Sequence, residues 1–240
     1  MRSERANHSE AGGAALGLRS PPPFQGLLPP GVEVSSARRD LEAPLFPEEA
    51  IAVARAVEAR RREFATGRAC AREALGSLGF RRVAIPAAAD GSPRWPAGVV
   101  GSIAHCSACR VAAVGLAAEV AAIGIDAEPD RRLPAGVLAA IALPVEREHV
   151  RQLLGEAAGR SWDRLLFSAK EAVYKTWFPL TGQKLRFEDA TVEFDPRAGG
   201  FTARLRVQGP GGGRPPVLTG RWTAAAGLVA TAIALPAGGG

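Results

Sequence analysis

The sequence predicts an α/β (α+β) fold in which helices pack on small sheets. Two helical stretches precede a strand pair and a third strand. A third helix follows, and four short strands close the chain. Ala71-Arg-Glu-Ala-Leu75 is echoed by Ala169-Lys-Glu-Ala-Val173 about half a chain later. Two similar halves, each a helix packed on a small sheet, would produce that echo.

Each element has a local cause. Residues 1 to about 25 are polar, then Gly/Ala-rich, then Pro21-Pro22-Pro23, which predicts a disordered leader. Pro47 suits a first helical turn, and Glu48 and Glu49 suit its positive end. A helix is therefore expected from Pro47 to about Phe64, ending in Arg60-Arg61-Arg62. A second is expected over Gly67–Leu78, stopped by Gly79. Ala87–Pro96 is rich in turn residues and reads as a loop. Val99–Ala104 and Arg110–Leu116 read as a strand pair around the Cys106–Cys109 turn, and Ala121–Ala127 as a strand closed by Pro129. Leu133–Leu154 reads as a long, partly helical connection.

Ser161 is placed to cap the next helix and Pro179 to stop it. Between them Leu165, Leu166, Ala169, Val173 and Trp177 recur at three- and four-residue spacing, an apolar stripe for burial. Strands are expected again at Ala190–Phe194, Phe201–Val207, Leu218–Trp222 and Gly227–Ala234. Gln208–Pro216 is a Gly/Pro-rich surface turn and no phosphate loop, because it lacks a G-K-[ST] ending.

At 240 residues the chain can bury a core as one domain or two fused halves. Its net charge of +6 attracts polyanions, whether nucleic acid, a phosphorylated cofactor or an acidic protein. Aromatics are 6 % and scattered, so the basic–aromatic face that nucleic-acid binding needs is missing, and no nucleic-acid partner is expected. With no run of 18 apolar residues and no signal-peptide core, no membrane span is expected and the predicted address is cytoplasmic. Cys70, Cys106 and Cys109 are an odd set, which argues against a disulfide framework. Cys106-Ser-Ala-Cys109 lacks the two further ligands of a zinc site.

Four segments can carry chemistry. The chain has 30 basic residues, yet its only lysines are Lys170, Lys175 and Lys184. A compact ammonium can transfer a proton, and guanidinium does not. Arg164, Ser168, Glu171 and Lys175 form a second stripe on the third helix, with Lys170 roughly 100° around from Glu171. The plain alternative is a solvated Glu171–Lys175 pair worth about 0.3 kcal/mol. In Ile123-Gly-Ile-Asp-Ala-Glu128, strand alternation points Asp126 and Glu128 to one face, with Gly124 leaving space there for a ligand. That pair could grip Mg²⁺ or simply be two solvated acids at a strand end. His105 follows an apolar strand. Arg60 and Arg68 flank the expected helix break, and Arg68 falls in a first turn whose N–H groups favour phosphate.

The order of these segments resembles the 4′-phosphopantetheinyl transferases of the Sfp/EntD type, in particular the actinobacterial PptT-like subgroup. The likeness runs through Arg61–Arg72, Gly101–Cys106, Val120–Pro129, Trp162–Thr181, Phe187–Ala190 and Gly227–Leu235. It implies a pseudo-dimer of two similar halves, residues 26–118 and 119–240, with a ligand cleft between them. It implies transfer of the phosphopantetheine arm of coenzyme A to a serine of an acyl, aryl or peptidyl carrier protein, an acidic and transient partner. By the same likeness Asp126, Glu128 and Glu171 hold Mg²⁺, Glu171 is the base, and Lys175 meets the leaving phosphate. Lys170 contacts phosphate nearby, while Arg60, Arg68 and His105 grip the 3′-phosphate and adenine end. Fused halves imply a monomer. One departure stands out: many relatives carry a CoA-contacting lysine where this chain has Ala87–Ala89, and Arg94 is the nearest substitute. A catalytically inactive CoA- or carrier-binding protein of the same fold is the alternative function.

Overall fold

A computed structural model describes residues 24, 26–157, 159–209 and 216–238. The predicted leader and most of the predicted 208–216 turn lie outside the described residues. The elements are β1 (Glu33–Ala37), α1 (Pro47–Ala50), α2 (Glu58–Ser77), β2 (Val99–Cys106), β3 (Cys109–Leu116) and β4 (Val120–Pro129). They continue with α3 (Val137–Ile141), α4 (Pro144–Glu156), α5 (Trp162–Thr181), β5 (Ala190–Asp195), β6 (Gly200–Leu205), β7 (Val217–Ala225) and β8 (Leu228–Pro236). The fold is α+β, with two antiparallel sheets packed with helices. One sheet has the order β1-β3-β2 and the other β4-β8-β7-β6-β5.

Strand alternation layers the molecule. Val111 and Ala113 of β3 face Ile123, Ile125 and Ala127 of β4, so the two sheets share an apolar seam. Ala112 and Val114, one residue out of phase, pack under Cys70, Ala71 and Leu75 of α2. On the far side α5 lays Leu165, Leu166, Ala169 and Val173 on the second sheet, against Val229 and Ile233 of β8. The layers therefore run helix, sheet, sheet, helix. A polar tie crosses the seam where the Ile125 N–H donates to Ser102 Oγ at 3.2 Å.

Three expectations need correction. The first helix ends early and the second starts early: α2 is one unbroken helix from Glu58 to Ser77. Gly67 is interior, where glycine costs about 1 kcal/mol against alanine. A Cβ there would stand 3.2 Å from Ile103 Cγ2, so close helix–strand packing accounts for the glycine. The break falls at residues 54–57 instead, where the Arg61 side chain donates to the carbonyls of Ala54 and Ala56 at 2.6 and 2.9 Å. Second, Pro179 does not stop α5; it sits in the last turn, and Gly182 at φ 67° ends the helix. Third, Ser161 is the N-cap residue of α5 but makes no capping bond with its hydroxyl. β1 went unread because its five residues, Glu-Val-Ser-Ser-Ala, carry little apolar signal.

Gly124 is where α5 and β4 touch. A Cβ on it would lie 2.1 Å from the Ala172 carbonyl and 2.2 Å from Thr176 Oγ1. The space it leaves is filled by the helix, not by a ligand. Gly124→Ala should therefore destabilise the chain by about 3 kcal/mol. Thermal unfolding should show a Tm lower by roughly 10 °C; an unchanged Tm would contradict this packing.

Candidate active site

The close contact at Gly124 brings the polar stripe of α5 against the carboxylates of β4. Lys175 Nζ donates to Asp126 Oδ1 at 2.8 Å and to the Ile125 carbonyl at 3.2 Å. About three helical turns towards the start of α5, Arg164 Nη1 donates to Glu128 Oε2 at 3.1 Å. Between them Ser168 Oγ lies 2.9 Å from Thr231 Oγ1 of β8. Arg164 also donates to the carbonyls of Arg131 and Arg132, while Asp163 Oδ2 accepts from Leu133 N and Asp130 Oδ1 from Ser161 N. The chain leaving β4 is thus stitched to the start of α5, which fixes the strand end carrying Glu128.

Glu171 stands half-buried between these two ion pairs on the same helix face. Burial pushes its carboxyl up from the usual glutamate range, Lys175 pulls it down, and the Asp126 charge pushes it up again. Burial raises Glu128 as well, and Asp126 adds to that while Arg164 opposes it. Asp126 Oδ2 is buried and has no hydrogen-bond partner among the described residues. No three His, Cys, Asp or Glu side chains among the described residues stand together closely enough to hold a metal. Of the three carboxylates expected to hold Mg²⁺, Asp126 is paired with Lys175 and Glu128 with Arg164, while Glu171 has no ion-pair partner among the described residues.

The first sheet brings its own groups to this edge. His105 is at the end of β2, with Nε2 2.9 Å from Arg60 Nη1 and 3.4 Å from Glu63 Oε1. Arg60 is also paired with Glu63. Burial lowers the His105 imidazole below its usual range against the pull of Glu63, and Arg60 and Lys175 lower it further. A neutral ring can accept from the Arg60 guanidinium.

Arg68 is placed differently from expectation. It lies in the middle of α2 rather than in a first turn, so no helix N-terminus supports a phosphate there. Its guanidinium lies 4.1 Å from the Phe64 ring centroid, and Nε donates to the Ile85 carbonyl at 2.8 Å. Burial pushes its pKa down to about 10, and its buried Nη2 lacks a partner among the described residues. Lys170 also departs from expectation. Its ammonium is buried and donates to Glu146 Oε2, the Phe187 carbonyl and the Ala190 carbonyl at 2.8, 2.7 and 3.0 Å. All three protons are spent on protein, so it is not free to contact phosphate.

Two cavities open beside α5. One, of about 480 Å³, is lined by Trp95, Ser102, Ile103, Ile123, Tyr174 and Lys175 among others. The other, of about 520 Å³, is lined by Glu171, Tyr174, Lys184, Phe187 and Glu188 among others. Tyr174 lines both and stacks on Phe178 with ring centroids 5.5 Å apart. Sequence reasoning missed Tyr174, though it is the chain's only tyrosine and lies next to Lys175. It also missed Glu63, one turn from Arg60, and the pairing of Arg164 with Glu128.

Comparison with known proteins follows this geometry. The 4′-phosphopantetheinyl transferase N-terminal domain family matches residues 46–115, and the 4′-phosphopantetheinyl transferase superfamily matches residues 122–224. The chain is 55 % identical over 198 residues to 4′-phosphopantetheinyl transferase Svp of Streptomyces mobaraensis, covering 82 % of this chain and 80 % of that protein. It is 48 % identical over 196 residues to 4′-phosphopantetheinyl transferase PptT of Mycobacterium tuberculosis, covering 79 % and 86 %. It is 44 % identical over 221 residues to 4′-phosphopantetheinyl transferase Npt of Nocardia iowensis, covering 87 % and 97 %.

The raised carboxyl of Glu171 makes a signed prediction. A folded pKa above the unfolded one means that stability is lost as pH rises from the unfolded value through the folded one. At pH 7.5 the ionised carboxylate is therefore a cost, and Glu171→Gln should raise Tm. A ¹³C titration of the metal-free protein should place Glu171 above the ordinary glutamate value of about 4.3. A lower Tm in Glu171→Gln, or a midpoint below that value, would contradict the burial described here.

Proposed function

The chain belongs to the 4′-phosphopantetheinyl transferase superfamily, and from that premise we propose that it moves the 4′-phosphopantetheine arm of coenzyme A onto a serine of an apo acyl, aryl or peptidyl carrier protein. The co-product is adenosine 3′,5′-bisphosphate. One observation carries the reading: Lys175 lines one cavity, Glu171 lines the other, and Tyr174 between them lines both. A molecule with a nucleotide at one end, a long arm at the other and a diphosphate between them suits that shape.

The residues divide the work. At the nucleotide end, Arg60 and His105 are exposed and can meet the 3′-phosphate, with Arg68 further along the same helix as Arg60. The arm extends past Tyr174 into the second cavity. The serine hydroxyl attacks the phosphorus that bears the arm, and the bond to the adenosine phosphate breaks. Glu171 takes the serine proton; its raised affinity for a proton suits a base. Lys175 spends two N–H groups on Ile125 and Asp126, which leaves one to meet the charge growing on the leaving phosphate.

The donor set also fits Mg²⁺. Asp126, Glu128 and Glu171 offer hard carboxylate oxygens, and the buried Oδ2 of Asp126, without a partner among the described residues, is a ready ligand. When bound, the ion neutralises diphosphate charge and orients it. The net charge of +6 favours an acidic carrier protein as the acceptor.

Purified protein with CoA and Mg²⁺ should add the mass of one phosphopantetheine unit to an apo carrier protein. Intact mass spectrometry across fatty-acid, polyketide and peptide carriers checks this, and no shift on any of them defeats the reading. EDTA should stop the reaction and Mg²⁺ restore it. Asp126→Ala and Glu171→Ala should each cost at least roughly 100-fold in kcat. Lys175→Arg should also be impaired, because a fork cannot replace the compact ammonium wedged between Ile125 and Asp126.

A further inference from the structure

One buried arrangement occurs twice in this chain. Glu49 and Glu146 are 0 % and 1 % exposed, and each is the third residue after the start of a Phe/Leu-Pro-x-Glu segment. In both, Oε2 accepts from the backbone N–H of the residue before the proline, Phe46 at 3.0 Å and Leu143 at 2.7 Å. In both, Oε1 accepts a backbone N–H from beyond the long helix, Ile85 and Val192, each at 2.8 Å. In both, a cation of the long helix completes the set, Arg72 on α2 at 2.6 Å and Lys170 on α5 at 2.8 Å. Arg72 and Lys170 hold the same place in the sequence echo, Ala71-Arg72-Glu73 and Ala169-Lys170-Glu171.

The copies differ in what the cation does next. Arg72 makes a further bond to the Pro44 carbonyl at 3.1 Å, and the following residue, Glu73, is exposed. Lys170 instead divides its protons among Glu146, Phe187 and Ala190, and the following residue is Glu171. Phe187, Glu188 and Ala190 form one wall of the 520 Å³ cavity that Glu171 and Tyr174 also line. The Lys170 ammonium ties that wall to the helix carrying Glu171, and Glu146 holds both the ammonium and the Val192 N–H beyond the wall. Burial lowers the Lys170 pKa, and Glu146 opposes that shift.

We infer that Glu146 is a positioning residue for the transfer: through Lys170 it fixes the Phe187–Ala190 wall opposite Glu171 and so sets the width of the cavity beside the reacting groups. The inference rests on the transferase reading above. It makes Lys170 a strut instead of a phosphate ligand. Removing either partner strands a buried group, whereas replacing both with apolar side chains of similar volume keeps the packing.

The test compares Glu146→Gln, Lys170→Met and the double variant Glu146→Leu/Lys170→Met, with Glu49→Gln as the matching lesion in the other copy. Hydrogen exchange should speed up across residues 187–192 in the first three and not in Glu49→Gln. Each of the three should lose roughly tenfold or more in kcat/KM with an apo carrier protein, and the double variant should be no worse than the singles. Calorimetric affinity for adenosine 3′,5′-bisphosphate should stay at the wild-type value in all of them. The apolar double variant keeps the test available should a single variant fold poorly. Lys170→Met that weakens nucleotide binding while Glu146→Gln transfers normally would make Lys170 a phosphate ligand and overturn the inference. Unaltered exchange at 187–192 in Glu146→Gln, or a lowered Tm with normal transfer kinetics, would overturn it as well. A wild-type chain that modifies no carrier protein defeats the transferase reading, whatever the exchange pattern.

Discussion

The site depends on a helix and a strand being pressed together hard enough that two cations meet two carboxylates. Gly124 permits the approach, since any side chain there would collide with the Ala172 carbonyl and Thr176. Lys175 then reaches Asp126 and Arg164 reaches Glu128, both in a partly buried setting where charges interact more strongly than in water. Glu171 is left between them without a cation of its own within bonding distance among the described residues. Burial raises its affinity for a proton, and one oxygen of Asp126 has no partner among the described residues. Both properties suit a place where a further positive charge, or a reacting proton, is to be received.

The second constraint is that the functional groups come from different sheets. His105 and Arg60 belong to the layer of α2 and the first sheet; Asp126, Glu128, Glu171 and Lys175 belong to the layer of α5 and the second. The apolar seam of β3 against β4 and β8 holds the layers in register, and the Ser102–Ile125 hydrogen bond marks where β2 and β4 come together. Burial lowers the His105 pKa, and Lys175 is among the cations that lower it further. The 480 Å³ cavity opens along that junction, and its lining is drawn from both sides. Among the described residues no helix is long and apolar enough to cross a membrane.

Much of this was legible in the chain. Alternation along Ile123–Glu128 put Asp126 and Glu128 on one face and Ile123 and Ile125 on the other, and the structure keeps that division. The spacing of Arg164, Ser168, Glu171 and Lys175 marked one stripe, and that stripe faces β4 and β8. These are period-2 and period-3.6 patterns, which backbone geometry enforces wherever strand and helix form. The helix break near residues 65–67 was misread for a related reason. Glycine in a helix is a local signal of weakness, and here a close contact with Ile103 outweighs it.

What the sequence by itself determined was the order of elements, the two faces of β4 and α5, and the identity of the charged residues available for chemistry. Tertiary structure alone decided which charge meets which. Lys170 and Lys175 are five residues apart on one helix, yet one is consumed by a buried glutamate from α4 and the other opens onto a cavity. Arg60 and Arg68 share α2, yet one meets His105 and the other is sealed under Phe64. The helical period says only that such residues point in different directions. What lies in each direction is set by long-range packing, and residues distant in the chain leave no mark of their future partners in a local pattern.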